Sequence, residues 1–149
     1  GDDDMVNQVL VLSACSWALA QVLKFLLSAI TNRKFELYYL LTGGGMPSSH
    51  SSFVCTCATC TAILTGVDSV TFAISVVLAL VVMYDAANVR KETGEQAKVL
   101  NYIMENWGSQ KPELFAEELK ELIGHTWLQV GAGLVLGILV GVVGCALWP

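Results

Sequence analysis

Apolar residues fall in four long blocks, 5–23, 49–66, 69–84 and 127–148, and the charges gather between them. A helical span of a bilayer needs about 20 residues, with about 17 as a lower limit. The first block is interrupted only by Asn7, Gln8 and Gln21. It ends at Lys24, whose stem can snorkel to the headgroups. The third block is short and needs Asp85 and its neighbours at the interface. A run at 35–41 is too brief to span and reads as an interfacial or re-entrant piece. Within the four blocks apolar residues occur all round the helix instead of as one stripe, which fits a bilayer better than a bundle in water.

Between the third and fourth blocks lies a long polar section that still has helical character. Residues 91–104 contain no Pro and one Gly. Residues 113–123 place Leu114, Phe115, Leu119, Leu122 and Ile123 on one side, with Pro112 suited to the first turn. This is the pattern of an amphipathic helix lying on the membrane or covering the bundle. The expected fold is therefore an all-α integral membrane bundle of about four transmembrane helices plus amphipathic interfacial helices. It forms a single domain over 1–149, with Gly1–Asp4 read as a remnant outside it.

Composition sharpens this. The chain is 54% apolar and 14% charged, with mean hydropathy +0.60. Soluble domains have about 45–50% apolar and about 25% charged residues. A net charge of −5 with eight Lys plus Arg argues against a nucleic-acid binder. All eight cations lie in two loops of one membrane face: Lys24, Arg33 and Lys34 in the first, Arg90, Lys91, Lys98, Lys111 and Lys120 in the second. The positive-inside rule puts both loops in the cytoplasm or its organellar equivalent, and both termini opposite. No basic segment precedes the first block and no clear cleavage site comes after it, so a signal peptide is not expected.

Three stretches carry candidate chemistry. The first is Thr42-Gly43-Gly44-Gly45-Met46-Pro47-Ser48-Ser49-His50-Ser51. Its glycines let backbone approach a ligand, and Pro47 is suited to open a helix. The N–H groups of Ser48, Ser49 and His50 would then form an anion site at a helix N-terminus. A plain helix cap with a glycine turn explains the same residues. The second is Met83-Tyr84-Asp85-Ala86-Ala87-Asn88-Val89-Arg90-Lys91, where a guanidinium suited to phosphate stands near an acid. Interfacial anchoring is the alternative for Arg90. A carboxylate such as Asp85 near the membrane boundary usually has a partner. The third is Gly124-His125-Thr126-Trp127-Leu128-Gln129-Val130. His125 and Gln129 share a helix face, so the amide can hold the imidazole in one tautomer. A cap or surface role is the alternative for His125. Topology brings all three stretches, with both histidines, to one membrane face.

Other signals are weaker. Cys55, Cys57 and Cys60 have a metal-like spacing but lie in an apolar helix, where small packing residues are the better reading. The cysteines all fall in the apolar blocks, so disulfides are not implied. Gly133, Gly137 and Gly141 give the last block one smooth face, open to packing within the chain or to a homodimer. No Walker motif, dinucleotide fingerprint or EF-hand loop is present.

Residues 42–51, 83–97 and 124–137 together resemble the divergent branch of the type 2 phosphatidic acid phosphatase family, whose superfamily includes the vanadium-dependent haloperoxidases. The resemblance covers most of the chain from about Gln21. It implies an α-helical membrane enzyme that removes phosphate from a lipid through a phosphohistidine, without a metal or cofactor. By resemblance His125 is the nucleophile with Gln129 as its partner, and His50 is the acid for the leaving alcohol. Ser48 and the Ser49 amide bind phosphate, as does Arg90. Lys24, with Arg33 or Lys34, stands loosely for the first motif's cations. The chain departs from the family pattern at Ser49, where the family has Gly, and at Gln129, where it has a carboxylate. The first motif's Arg-Pro pair is absent, no His comes after Arg90 at the usual spacing, and four spans replace six.

The chemistry also stands on the residues themselves. A phosphate monoester needs an in-line nucleophile, cations on its equatorial oxygens and a proton for the leaving oxygen. His125, Arg90 with Lys24 or Lys34, and His50 can supply these. The expected function is a lipid phosphate phosphatase acting on glycerolipid or polyprenyl phosphates. Two other classes remain: a catalytically silent lipid-binding or scaffold protein, and a metal-dependent phosphatase using Asp85 with Glu92 or Glu95.

Overall fold

A computed structural model of the chain describes residues 7–33, 45–108 and 125–149. Helix α1 is Gln8–Asn32, capped by the Asn7 side chain, which accepts from the Leu10 N–H at 3.1 Å. Helix α2 is Ser49–Thr65, with Ser48 as its cap. The chain then reverses through Gly66, whose φ of 88° suits glycine, and Ser69 caps α3, Val70–Tyr84. A π-turn, Asp85–Val89, passes into α4, Arg90–Glu105. Helix α5 is Trp127–Leu147.

Among the described residues, three helical stretches are long and apolar enough to cross a membrane: Gln8–Thr31, Val70–Glu105 and Trp127–Leu147. With 17 residues, α2 is about 26 Å long, at the lower limit for a span. It is the centre of the bundle and packs against α1, α3 and α5. The polarity is inverted relative to a protein in water. Outward-facing Ile74, Val77 and Val135 are exposed, whereas Ser13, Ser16, Ser51, Ser52 and Thr56 are buried. Small hydroxyl residues let helix backbones approach within lipid and hydrogen-bond across the contact. Thr56 Oγ1 donates to the carbonyls of Ser52 (2.8 Å) and Gly137 (3.0 Å), and the hydroxyls of Ser16 and Ser52 bond to each other.

The glycine stripe packs within the chain: Gly133, Gly137 and Gly141 lie against α2. A Cβ on Gly137 would stand 2.7 Å from both Cys55 Cβ and the Ser52 carbonyl oxygen. One on Gly133 would meet the Ser48 carbonyl oxygen and lie 2.8 Å from Ser51 Cβ. Gly133→Ala is therefore expected to destabilise the protein by ~1–3 kcal/mol through overpacking, despite alanine's better helix propensity. A lowered melting temperature in detergent checks this, and an unchanged or raised one contradicts the packing.

Two boundaries differ from the sequence expectation. Helix α1 does not end at Lys24 but runs two turns further through apolar residues, so Lys24 lies inside the helix, 2% exposed, and does not snorkel. The third span does not stop at Tyr84 either. It continues unbroken through Asp85 to Glu105, 36 residues and about 54 Å. Apolar character falls along this helix without a break in its hydrogen bonding, so the hydropathy pattern marks the edge of the lipid and not the end of the helix. The run at 35–41, the segment 113–123, and Lys34, Gly43 and Gly44 lie outside the described residues.

Candidate active site

The site is assembled by backbone contacts at one end of the bundle. The N–H of His125 donates to the carbonyl of Ala86 within the π-turn at 3.0 Å. The N–H of Ser48 donates to the carbonyl of Gln129 on α5 at 3.1 Å. These two bonds tie the start of α5 to the π-turn and to the start of α2. The π-turn replaces an ordinary turn where Ala86 and Ala87 are buried, and its Arg90 N–H reaches back to the Asp85 carbonyl. Such turns insert one extra residue and re-aim the side chains beyond them, often at functional sites.

Here the re-aimed residue is Arg90. Its Nη2 lies 3.0 Å from His50 Nε2, and its Nε lies 3.9 Å from Asp85 Oδ2. The His50 and His125 rings stand 5.9 Å apart between centroids, inclined at 63°. Lys24 acts electrostatically on both imidazoles, as does Arg90. The stem of Lys24 passes the backbone of Gly45, where a Cβ would lie 3.1 Å from Lys24 Cγ and φ is +99°. The last glycine of the motif thus admits the lysine.

Hydrogen-bond logic fixes the tautomers. The N–H of Thr126 donates to Gln129 Oε1 at 3.1 Å, and a backbone N–H can only donate, so the atom facing it is the amide oxygen. The same oxygen faces His125 Nδ1 at 3.3 Å, so Nδ1 carries the proton and Nε2 holds the lone pair. Guanidinium nitrogen also only donates, so His50 Nε2 accepts from Arg90 and the proton sits on Nδ1. The second nitrogen of each ring, His125 Nε2 and His50 Nδ1, is buried with no hydrogen-bond partner. One ring offers a lone pair and the other an N–H, side by side.

Burial pushes the His125 imidazole down from 6.5 to about 4, with Lys24, His50 and Arg90 acting in the same sense against the Gln129 hydrogen bond. His125 is therefore neutral near pH 7. The unfolded chain takes up this proton below about 6.5 and the folded one only near 4, so folding stability rises with pH across that window. The stability is complete above the unfolded value and is lost as pH falls toward 4. The melting temperature is expected to drop more steeply between pH 7 and pH 4.5 in the wild type than in His125→Asn; parallel curves contradict the shift.

A family model described as the divergent PAP2 family matches residues 5–140. The chain belongs to this family. It is also 36% identical to YuiD of Bacillus subtilis (strain 168), described as an uncharacterized membrane protein, over 149 aligned residues that cover 93% of this chain and 94% of that one. No solved structure matches.

In this divergent PAP2 chain the expected site residues do not all converge. His50, His125, Gln129, Arg90 and Lys24 come together, with Asp85 bracing Arg90. Ser48 also ties the fold together: its hydroxyl accepts from the Ser51 N–H (3.3 Å) and the Ser51 hydroxyl (3.2 Å), and its own N–H is bonded to α5. Pro47 precedes this cap instead of opening the helix. Ser49 is buried, and its N–H and that of His50 open α2 with no carbonyl of their own helix to bond. Arg33 stands apart from this cluster: it is exposed, in left-handed conformation at the end of α1, about 14 Å beyond Lys24 along the helix.

Two contributors escaped the sequence reading. Thr126 forms a capping box with Gln129, and its Thr-x-x-Gln spacing could have revealed this. The Ala86 carbonyl left no sequence signal. Among the described residues no three His, Cys, Asp or Glu side chains converge to hold a metal, and Glu95, half of one proposed pair with Asp85, is bonded to Lys98 at 3.0 Å.

Proposed function

We propose that this membrane protein is a lipid phosphate phosphatase that works through a phosphohistidine on His125. The supporting observation is the meeting of two imidazoles, one offering a lone pair and the other an N–H, beside Lys24 and Arg90 at the N-terminus of α2. A cluster of two cations, the buried Lys24 and the partly exposed Arg90, with two open ring nitrogens suits a tetrahedral oxyanion.

His125 Nε2 attacks phosphorus, and the bond to the ester oxygen breaks. As the substrate's oxygens draw Arg90 from His50, Nε2 takes up a proton, and the His50 imidazolium gives its Nδ1 proton to that oxygen. Water then attacks the phosphohistidine, His50 takes the proton back, and phosphate leaves. Arg90, Lys24 and the N–H groups of Ser49 and His50 neutralise the equatorial oxygens. Membership of the divergent PAP2 family supports the same chemistry. The site end of the bundle faces the cytoplasm or its organellar equivalent, by the distribution of Lys and Arg.

The neutral Gln129 orients His125 but gives no charge to a developing imidazolium. This favours slow turnover, and it is the observation on which a silent lipid-binding role rests. Gln129→Glu is expected to raise the pH at which His125 titrates and to increase turnover by about tenfold. A fall in turnover with an unchanged titration contradicts that role for Gln129. The function itself is tested by phosphate release from lipid phosphates presented to purified protein. Release that survives EDTA and is inhibited by vanadate is expected. Loss with EDTA points to a metal enzyme, and no release from any lipid phosphate to the silent role.

A further inference from the structure

Beneath the candidate site, α2, α3 and α5 enclose an apolar groove of about 420 Å³. Its floor is one face of α2, where Cys55, Ala58 and Ala62 are small enough to leave depth. Phe72 and Met83 of α3 form one wall, and Leu134 and Ile138 of α5 the other. From Cys55 to Ala62 and from Phe72 to Met83 the groove runs about 10–16 Å at 1.5 Å per residue. That is about one leaflet of a hydrocarbon core of ~30 Å.

All three helices bring the head of the groove to the same place. Cys55 lies five residues after His50, Leu134 five after Gln129, and Met83 two before Asp85. The groove therefore opens about 3–8 Å below the imidazoles and Arg90. A phosphate held by those groups has its ester oxygen within reach of this opening, and the chain attached to it has an apolar path leading away.

We propose that the groove receives a single hydrocarbon tail of the phosphate-bearing substrate and sets its preferred length; this rests on the phosphatase reading above. The substrate class is a phosphomonoester on one linear chain, and the far end of the groove, between Ala62 and Phe72, measures that chain. Large side chains on two walls with small ones on the floor make one slot leading away from the site.

The test uses n-alkyl phosphates of increasing length with the full chain in nanodiscs. For the wild type, kcat/KM is expected to rise with length and level off once the groove is filled. Ala62→Phe should shorten the length at which it levels and lower kcat/KM about tenfold for longer chains, leaving butyl phosphate unaffected. Phe72→Ala should shift the profile to longer chains. Identical profiles in all three proteins overturn the proposal. If no alkyl phosphate is hydrolysed, the phosphatase reading fails, and the groove is read separately with an alkyl phosphate bearing a terminal diazirine. Adducts on groove residues, competed by the plain alkyl phosphate and not by the alcohol of the same length, support the groove as a phosphate-lipid site. Adducts elsewhere, or equal competition by the alcohol, overturn it.

Discussion

His125→Ala is expected to reduce phosphate release by about 10³–10⁶-fold, the scale of losing a nucleophile whose chemistry no neighbour replaces. His50 cannot take over, because its Nε2 lone pair is held by Arg90. The variant should remain folded. Its backbone N–H still bonds Ala86, and Thr126 still caps α5 through the Gln129 amide. Measured release within tenfold of the wild type, with a retained melting transition, removes His125 from the nucleophile's role.

Arg90→Ala carries the second large effect, about 10²–10³-fold, the range for removing one preorganised donor to a developing anion. Two consequences separate it from the first variant. The guanidinium leaves His50 as well as the substrate, so His50 Nε2 becomes free to take a proton and the pH profile of release changes shape. Arg90→Lys should recover only part of the rate. An ammonium supplies a point charge, not the planar fork that spans Asp85, His50 and a phosphate oxygen. Full activity in Arg90→Lys, or an unaltered pH profile in Arg90→Ala, contradicts the bridging geometry.

Much of this is legible in the sequence because the membrane leaves few choices. Uncharged runs of near-spanning length specify helices, and alternating direction puts the ends bearing His50, Arg90 and His125 together. The four-residue spacing of His125 and Gln129 gives their hydrogen bond directly. Lys24 is the instructive failure. A lysine at the end of an apolar run reads as a snorkel, yet the helix continues to Asn32 and the side chain is buried, acting on two imidazoles. Hydropathy reports what each residue prefers and not which way its helix is rotated. The π-turn at Asp85–Val89 is equally silent, and so is the bond by which its Ala86 carbonyl accepts from the His125 N–H. The glycine stripe shows the same limit: its smoothness is evident in the sequence, but its partner on α2 is a property of the assembled bundle.

A structure determined with vanadate or tungstate tests most directly whether these groups share one phosphoryl ligand. The anion is expected at His125 Nε2, with Arg90 and Lys24 on its oxygens and His50 within about 3 Å of its apical oxygen. An anion bound elsewhere, or one held through Asp85 and a metal with His125 uninvolved, contradicts it.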